Sequence, residues 1–179
     1  MLKGLMTKLF TFFFLFLIVL SPLYALEITG IEKEKDGEIT LSFCNVFKIN
    51  NIALNQGSLT QAVVLSKDEG IYENLVLLNA DIAGKIISCF GVCELDKICT
   101  QASYKIESIK KVKDKDLFLV KVVFDNDISV AFLVSSYKKK NKTLYRVKTP
   151  QDFKFLNKKY QKKFRAWLIK EIKDRYEMF

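Results

Sequence analysis

Four cysteines, a lysine-rich C-terminal third and the complete lack of histidine are the chemically informative features of this chain. Without histidine the commonest general base, the commonest metal ligand and the near-neutral pH switch are all missing. Cys44, Cys89, Cys93 and Cys99 show no C-x-x-C spacing, so neither a zinc site nor a thiol redox centre is indicated. An even cysteine count in an exported chain reads instead as two disulfides, with three possible connectivities. The favoured pairing is Cys93 with Cys99, which flank the short excursion Glu94–Ile98, and Cys44 with Cys89. Cys89 also fits a helix face as a small core hydrophobe.

The carboxylates form no patterned pair, and there is no glycine-rich phosphate loop or serine nucleophile elbow. Asp125-Asn126-Asp127 lacks the downstream glycine and glutamate of a calcium loop and reads as a hairpin turn. The expectation is a non-enzyme with no cofactor and no metal.

Charge is the remaining lever. Net charge is +9, and from Lys138 to Phe179 fifteen Lys and Arg face four acids. Lys138, Lys139 and Lys140 in a loop, and Lys158, Lys159 and Lys162 on a helix, could attract a polyanion. The plain alternative is a solvated hairpin and the solvent face of a helix. Outside the cytoplasm the partner would be an anionic envelope polymer or a membrane surface. Inside a cell it would be nucleic acid.

The N-terminus bears on that choice. Lys3 and Lys8 precede and bound an apolar run, Leu9–Leu20, which Ser21-Pro22 ends; Leu23-Tyr24-Ala25 then offers a cleavage site. This is the order of a secretory signal peptide, with an uncleaved membrane anchor as the alternative. Residues 1–25 are therefore set apart from the fold. Loss of Lys3 and Lys8 lowers the charge from +9 to +7.

The elements that position these residues come in two sets. In residues 26–99, Leu26–Lys33, Ile39–Phe43, Phe47–Leu54 and Ala62–Leu65 read as strands, with Asp36-Gly37 and Asn55–Ser58 as turns. Ile71–Leu77 is a short strand or an irregular approach to a helix capped by Asn79. In residues 100–179, strands around Ile106 and Ile109, Val120–Phe124, Ile128–Val134 and Leu144–Lys148 precede a helix from about Phe155 to Glu177. Its apolar stripe is Leu156, Tyr160, Phe164, Trp167, Leu168, Ile172 and Tyr176. Each set is an antiparallel β-meander closed by one helix, and the fold class is α+β.

The two sets also match each other. Leu78-Asn79-Ala80-Asp81-Ile82-Ala83-Gly84-Lys85 recurs 78 residues later as Leu156-Asn157-Lys158-Lys159-Tyr160-Gln161-Lys162-Lys163. Ile28 and Ile31 reappear as Ile106 and Ile109 at the same offset. Two tandem repeats are expected, able to pair within one chain as a pseudo-dimer or between chains as a homodimer.

The first set resembles the stage V sporulation protein G (SpoVG) family, also called the septation protein G family. The residues that carry the likeness are Phe47 through Asn51-Ile52, Gly57, Ser66-Lys67, Tyr72 and, above all, Leu78-Asn79 followed by Gly84-Lys85-Ile86. The resemblance covers about residues 27–90, and more weakly 105–176. It implies a small dimerising α+β module that binds nucleic acid, with roles in gene regulation and septation. It adds Lys67, Lys85 and Lys163 to the basic residues that could contact a polyanion. The export signal, the duplication and the cysteines depart from the family, and Leu65 stands where the family usually has proline. An exported binding or structural module of the cell envelope is the leading expectation. A nucleic-acid-binding regulator, with its N-terminus kept as an anchor, is the alternative.

Overall fold

Alternating apolar residues and well-placed turn residues divide the chain into short antiparallel strands. The computed structural model describes residues 26–34, 36–60, 64–66, 70–72, 75–95, 99, 101–112, 116–140 and 142–176. The first set gives β1 (Ile28–Lys33), β2 (Ile39–Phe43), β3 (Phe47–Asn55) and β4 (Ser58–Thr60). Gln56 and Gly57, with φ 50° and 79°, make the tight turn from β3 to β4, the geometry that suits a two-residue hairpin. A two-stranded ribbon, β5 (Val64–Ser66) and β6 (Gly70–Tyr72), leads to β7 (Leu75–Leu77) and helix α1 (Ala80–Ser88). The second set gives β8 (Tyr104–Lys111), β9 (Leu117–Phe124), β10 (Ile128–Lys139), β11 (Lys142–Lys148), β12 (Phe153–Phe155) and helix α2 (Lys158–Tyr176).

Ten of these strands form two five-stranded antiparallel sheets. One has the order β1-β2-β3-β12 with β4 beside β3; the other has the order β11-β10-β9-β8 with β7 beside β10. Each sheet thus takes one short strand from the other half of the chain. Leu75 and Leu77 of β7 face Val130 and Ile128. Phe153 and Phe155 of β12 face Ile49 and Phe47. After each borrowed strand the next amide docks on the other half's hairpin loop. Leu78 N donates to Asp127 O at 2.7 Å, and Leu156 N donates to Val46 O at 2.8 Å.

Those two loops share one geometry. Cys44-Asn45-Val46 and Asp125-Asn126-Asp127 each begin with two residues of positive φ (46° and 52°; 46° and 64°). Asparagine and aspartate tolerate this left-handed region far better than other non-glycine residues, so Cys44 is the strained member of the set. β1 and β8 are each interrupted by one irregularity against their partner, between Ile28 and Gly30 and between Ile106 and Ser108.

The exchange merges the two apolar faces into one core. Phe47 of the first sheet meets Phe124 of the second at 5.0 Å between ring centroids, and Phe153 meets Phe132 at 5.5 Å. α2 closes this core through Phe164, which touches Tyr104, Phe124, Phe132 and Phe155. Offset and edge-on ring pairs of this kind add to what area burial alone supplies.

Three expectations need correction. The closing helix starts at Lys158, because Phe153–Phe155 is drawn into β12 by its pairing with β3. Leu156 is 42% exposed, so it is no part of the apolar stripe. Ile71–Leu77 is two strands of different sheets.

The disulfides are Cys44–Cys99 and Cys89–Cys93, so the favoured Cys93–Cys99 and Cys44–Cys89 pairing is wrong. The reason is local. α1 ends in a tight turn, with Gly91 N on Ser88 O at 3.0 Å, which folds Cys93 back onto Cys89. The loop carrying Cys44 lies against the segment entering β8, where Asn45 Nδ2 donates to Cys99 O at 3.3 Å.

Candidate functional site

Among the described residues β11 is an edge strand, paired with β10 alone, and its sequence alternates. Val147 is buried and Tyr145 half-buried, whereas Lys142, Leu144, Arg146 and Lys148 are exposed. Basic residues on an edge also discourage pairing with further strands. α2 lies beside this edge. Asn157 caps it, its Oδ1 accepting from Lys159 N and Tyr160 N at 3.0 Å each. Its core stripe is Tyr160, Phe164, Leu168 and Ile172. A second stripe at helical spacing holds Lys158, Lys162, Arg165, Ile169 and Lys173.

Between the two elements is an open cleft of about 430 Å³, lined by Tyr145, Arg146, Val147, Lys148, Thr149, Arg165 and Ile169. Three of these seven carry positive charge and none is acidic. Lys173 Nζ sits 5.3 Å from the Tyr145 ring centroid, a cation–π contact that braces the cleft from the helix side. Arg146 and Arg165 bring planar guanidinium groups from two different elements, an arrangement suited to gripping phosphate or carboxylate oxygens.

The acids of α2 sit elsewhere. Asp174 pairs with Lys170 at 2.7 Å and Glu171 with Arg175 at 3.4 Å, both at i,i+4. The hydrogen bond and charge of Asp174 raise the Lys170 ammonium above its ordinary pKa. Among the described residues, neutralisation on α2 is thus confined to its C-terminal turns. The N-terminal turns hold Lys158, Lys159, Lys162 and Lys163, with no acid in the first turn. Positive charge at a helix N-terminus opposes the helix dipole. A local rule broken this way is expected at a functional surface.

The sequence-predicted residues divide around this cleft. Lys158 and Lys162 extend its helix-side stripe, while Lys159 and Lys163 are exposed on neighbouring positions of α2. Lys138, Lys139 and Lys140 form the tip of the β10–β11 hairpin. From Lys142 at that tip to Arg146 is four residues, about 14 Å along an antiparallel strand. Lys85 is exposed on α1, in the other half of the chain. Lys67 lies outside the described residues. Arg146, Lys148 and Arg165 were not singled out from the sequence. The i,i+2 spacing of Arg146 and Lys148, and the i,i+4 placement of Arg165, Ile169 and Lys173, are the signals that could have found them.

A second cluster of titratable groups is buried in the β9–β10 loop. Asp127, 3% exposed, accepts from Leu26 N at 2.7 Å and from Asn79 Nδ2 at 2.9 Å. Asp125, 5% exposed, accepts at Oδ1 from the amide of Ser103 at 2.8 Å and from its hydroxyl. Asp125 Oδ2 has no hydrogen-bond partner. Burial, and then the charge of Asp127, push the Asp125 carboxyl above its usual range. Tyr160 Oη donates to Ala102 O at 2.9 Å, and burial raises its phenol.

Two disulfides fit an oxidising compartment. Among the described residues no helix is long and apolar enough to cross a membrane. No family model matches the chain, and it matches no curated protein and no solved structure.

Proposed function

We propose that the chain is an exported, non-catalytic binding module of the cell envelope that holds an anionic polymer in the cleft between β11 and α2. One observation carries this reading: Arg146, Lys148 and Arg165, from two separate elements, line one open cleft that contains no acid. Lys158 and Lys162 continue the same basic stripe along α2, which gives the surface the length to follow a chain of charges.

We further propose that the scaffold is a tandem duplication of a SpoVG-like module, paired within one chain as a pseudo-dimer. The reciprocal loan of β7 and β12, each just before a helix and each paired to the third strand of the other half, supports it. So do the matching loops Cys44-Asn45-Val46 and Asp125-Asn126-Asp127. On this reading the second half diverged to bind. Its helix gained lysines, and its hairpin gained basic residues at the edge.

The test is binding of the chain beginning at Leu26 to inorganic polyphosphate across a salt series. The expected result is affinity that falls linearly on a log–log plot as salt rises, and falls about tenfold or more in the Arg146→Glu, Arg165→Glu double variant. Salt-independent binding, or full affinity in that variant, overturns the cleft. Preference for vesicles rich in anionic phospholipid over polyphosphate moves the partner from polymer to bilayer. Recovery of the intact chain only from the cytoplasm, with tight DNA binding, replaces export by the nucleic-acid reading.

A further inference from the structure

The α-nitrogen of Leu26 meets the loop that holds Asp125 and Asp127, the two buried acids among the described residues. Leu26 is fully buried, and its nitrogen is 2.7 Å from Asp127 Oδ2. Among the described residues the other oxygen of Asp127 receives only the neutral amide of Asn79. Two positions earlier, Asp125 is buried with one carboxyl oxygen unpartnered. Among the described residues neither acid has an ion pair with a lysine or arginine. A buried carboxylate without a cation is costly, and this loop holds two. In the sequence, the bond that supplies the Leu26 nitrogen is the Ala25–Leu26 peptide bond, the one the signal-peptide pattern marks for cleavage.

We propose that cleavage after Ala25 creates the missing cation: the freed α-ammonium of Leu26 forms a buried ion pair with Asp127 that locks the processed fold. The inference rests on the export reading. In the step itself a signal peptidase hydrolyses the Ala25–Leu26 bond with one water. The carbonyl carbon of Ala25 leaves as a carboxylate, and the Leu26 nitrogen takes up the protons that make it an ammonium. A neutral amide with one hydrogen becomes a charged group with three, at the place where a carboxylate already accepts. The burial of the Leu26 side chain also fixes the register of the cut. Cleavage further along would remove an anchor from the core, and cleavage earlier would leave an amide opposite Asp127.

Two measurements on secreted protein test this. Intact mass and N-terminal sequencing should place the mature start at Leu26. Urea unfolding should then compare this chain with one carrying two extra residues before Leu26, in wild-type and Asp127→Asn backgrounds. The free ammonium is expected to lower the unfolding constant about 100-fold relative to the extended chain, and this difference should vanish in Asp127→Asn. If Asp127→Asn does not fold, labelling by an amine-reactive reagent replaces it, and the Leu26 amine should react far more slowly than the lysines. A mature start elsewhere overturns the proposal and leaves export standing. An uncut chain defeats the export reading itself. Cleavage at Leu26 with equal stability in both forms and a readily labelled amine overturns the ion pair alone.

Discussion

Asn79 Nδ2 donates to Asp127 Oδ1 at 2.9 Å while its Oδ1 accepts from Asp81 N at 2.9 Å, so the cap of the first helix is also a ligand of the second hairpin. The side chain of the corresponding cap of α2, Asn157, makes only its cap bonds among the described residues. Asn79→Ala should therefore cost about 2–3 kcal/mol, a lost cap plus an unsatisfied buried acceptor, against about 1 kcal/mol for Asn157→Ala. Denaturant midpoints of the two variants check this, and equal losses would show that the link to Asp127 contributes nothing.

The two disulfides should differ in worth. Cys44–Cys99 closes a loop of separation 55, and Cys89–Cys93 one of separation 4. Loop-closure entropy gives about 4 kcal/mol for the first and about 2 kcal/mol for the second. Cys44 also holds a left-handed backbone that its side chain disfavours. The Cys44→Ala, Cys99→Ala double variant should accordingly be the less stable of the two double variants by about 2 kcal/mol in urea titrations. The reverse order would contradict the loop-length account.

Much of the architecture was legible from pattern. Asp36-Gly37, the strand through Ile39, Leu41 and Phe43, and the stripe Tyr160, Phe164, Leu168 and Ile172 fold as their spacing implies, although Thr40 is buried along with its apolar neighbours. What escaped was whatever depends on a distant partner. Phe153–Phe155 is too short to announce a strand, and only the edge of β3 makes it one. The cysteine pairing depends on a turn at Ser88–Gly91, which decides which thiol Cys89 meets and which the cysteine spacing does not reveal. Lys138–Lys140 is the conspicuous basic run in the sequence, yet the cleft is built from Arg146, Lys148 and Arg165, which are scattered in sequence and meet only when α2 docks beside β11. Asp125 and Asp127 read as turn residues, and they are; their buried partners, Ser103 for Asp125 and Leu26 and Asn79 for Asp127, are distant in sequence, and no local pattern could supply them.

Asp125 should give the protein an inverted pH signature. Its folded pKa is raised, chiefly by burial, above the ordinary carboxylate value. The folded state then holds this proton more tightly than the unfolded chain. The contribution is fully present below the unfolded pKa and is lost as pH rises through the folded value. As pH rises, ionisation of this half-satisfied carboxyl works against folding. Asp125→Asn keeps an acceptor for Ser103 and removes the titration. The stability of the variant relative to wild type should therefore be higher at pH 7.5 than at pH 4.5. Urea midpoints at the two pH values decide it, and a difference that does not change with pH would remove Asp125 from the pH response.

The lysines at the start of α2 should show opposed effects on stability and binding. Lys158 opens the helix, lies on the stripe that continues the cleft, and faces the positive end of the dipole with no acid in that turn. A surface selected only for stability would place Asp or Glu there, as α1 does with Asp81. Lys158→Glu exchanges an unfavourable charge for a favourable one, and should stabilise by about 1 kcal/mol, roughly 2–4 °C in Tm. The same change puts an acid beside Lys162 and Arg165 and should weaken polyphosphate binding severalfold, most strongly at low salt. Lys170→Ala serves as the reference, because Lys170 is paired with Asp174 away from the cleft. It should leave binding nearly unchanged. A Lys158→Glu protein that gains stability and keeps full affinity would mean that the basic start of α2 has no part in binding. The anion would then have to be held by β11 and Arg165 alone.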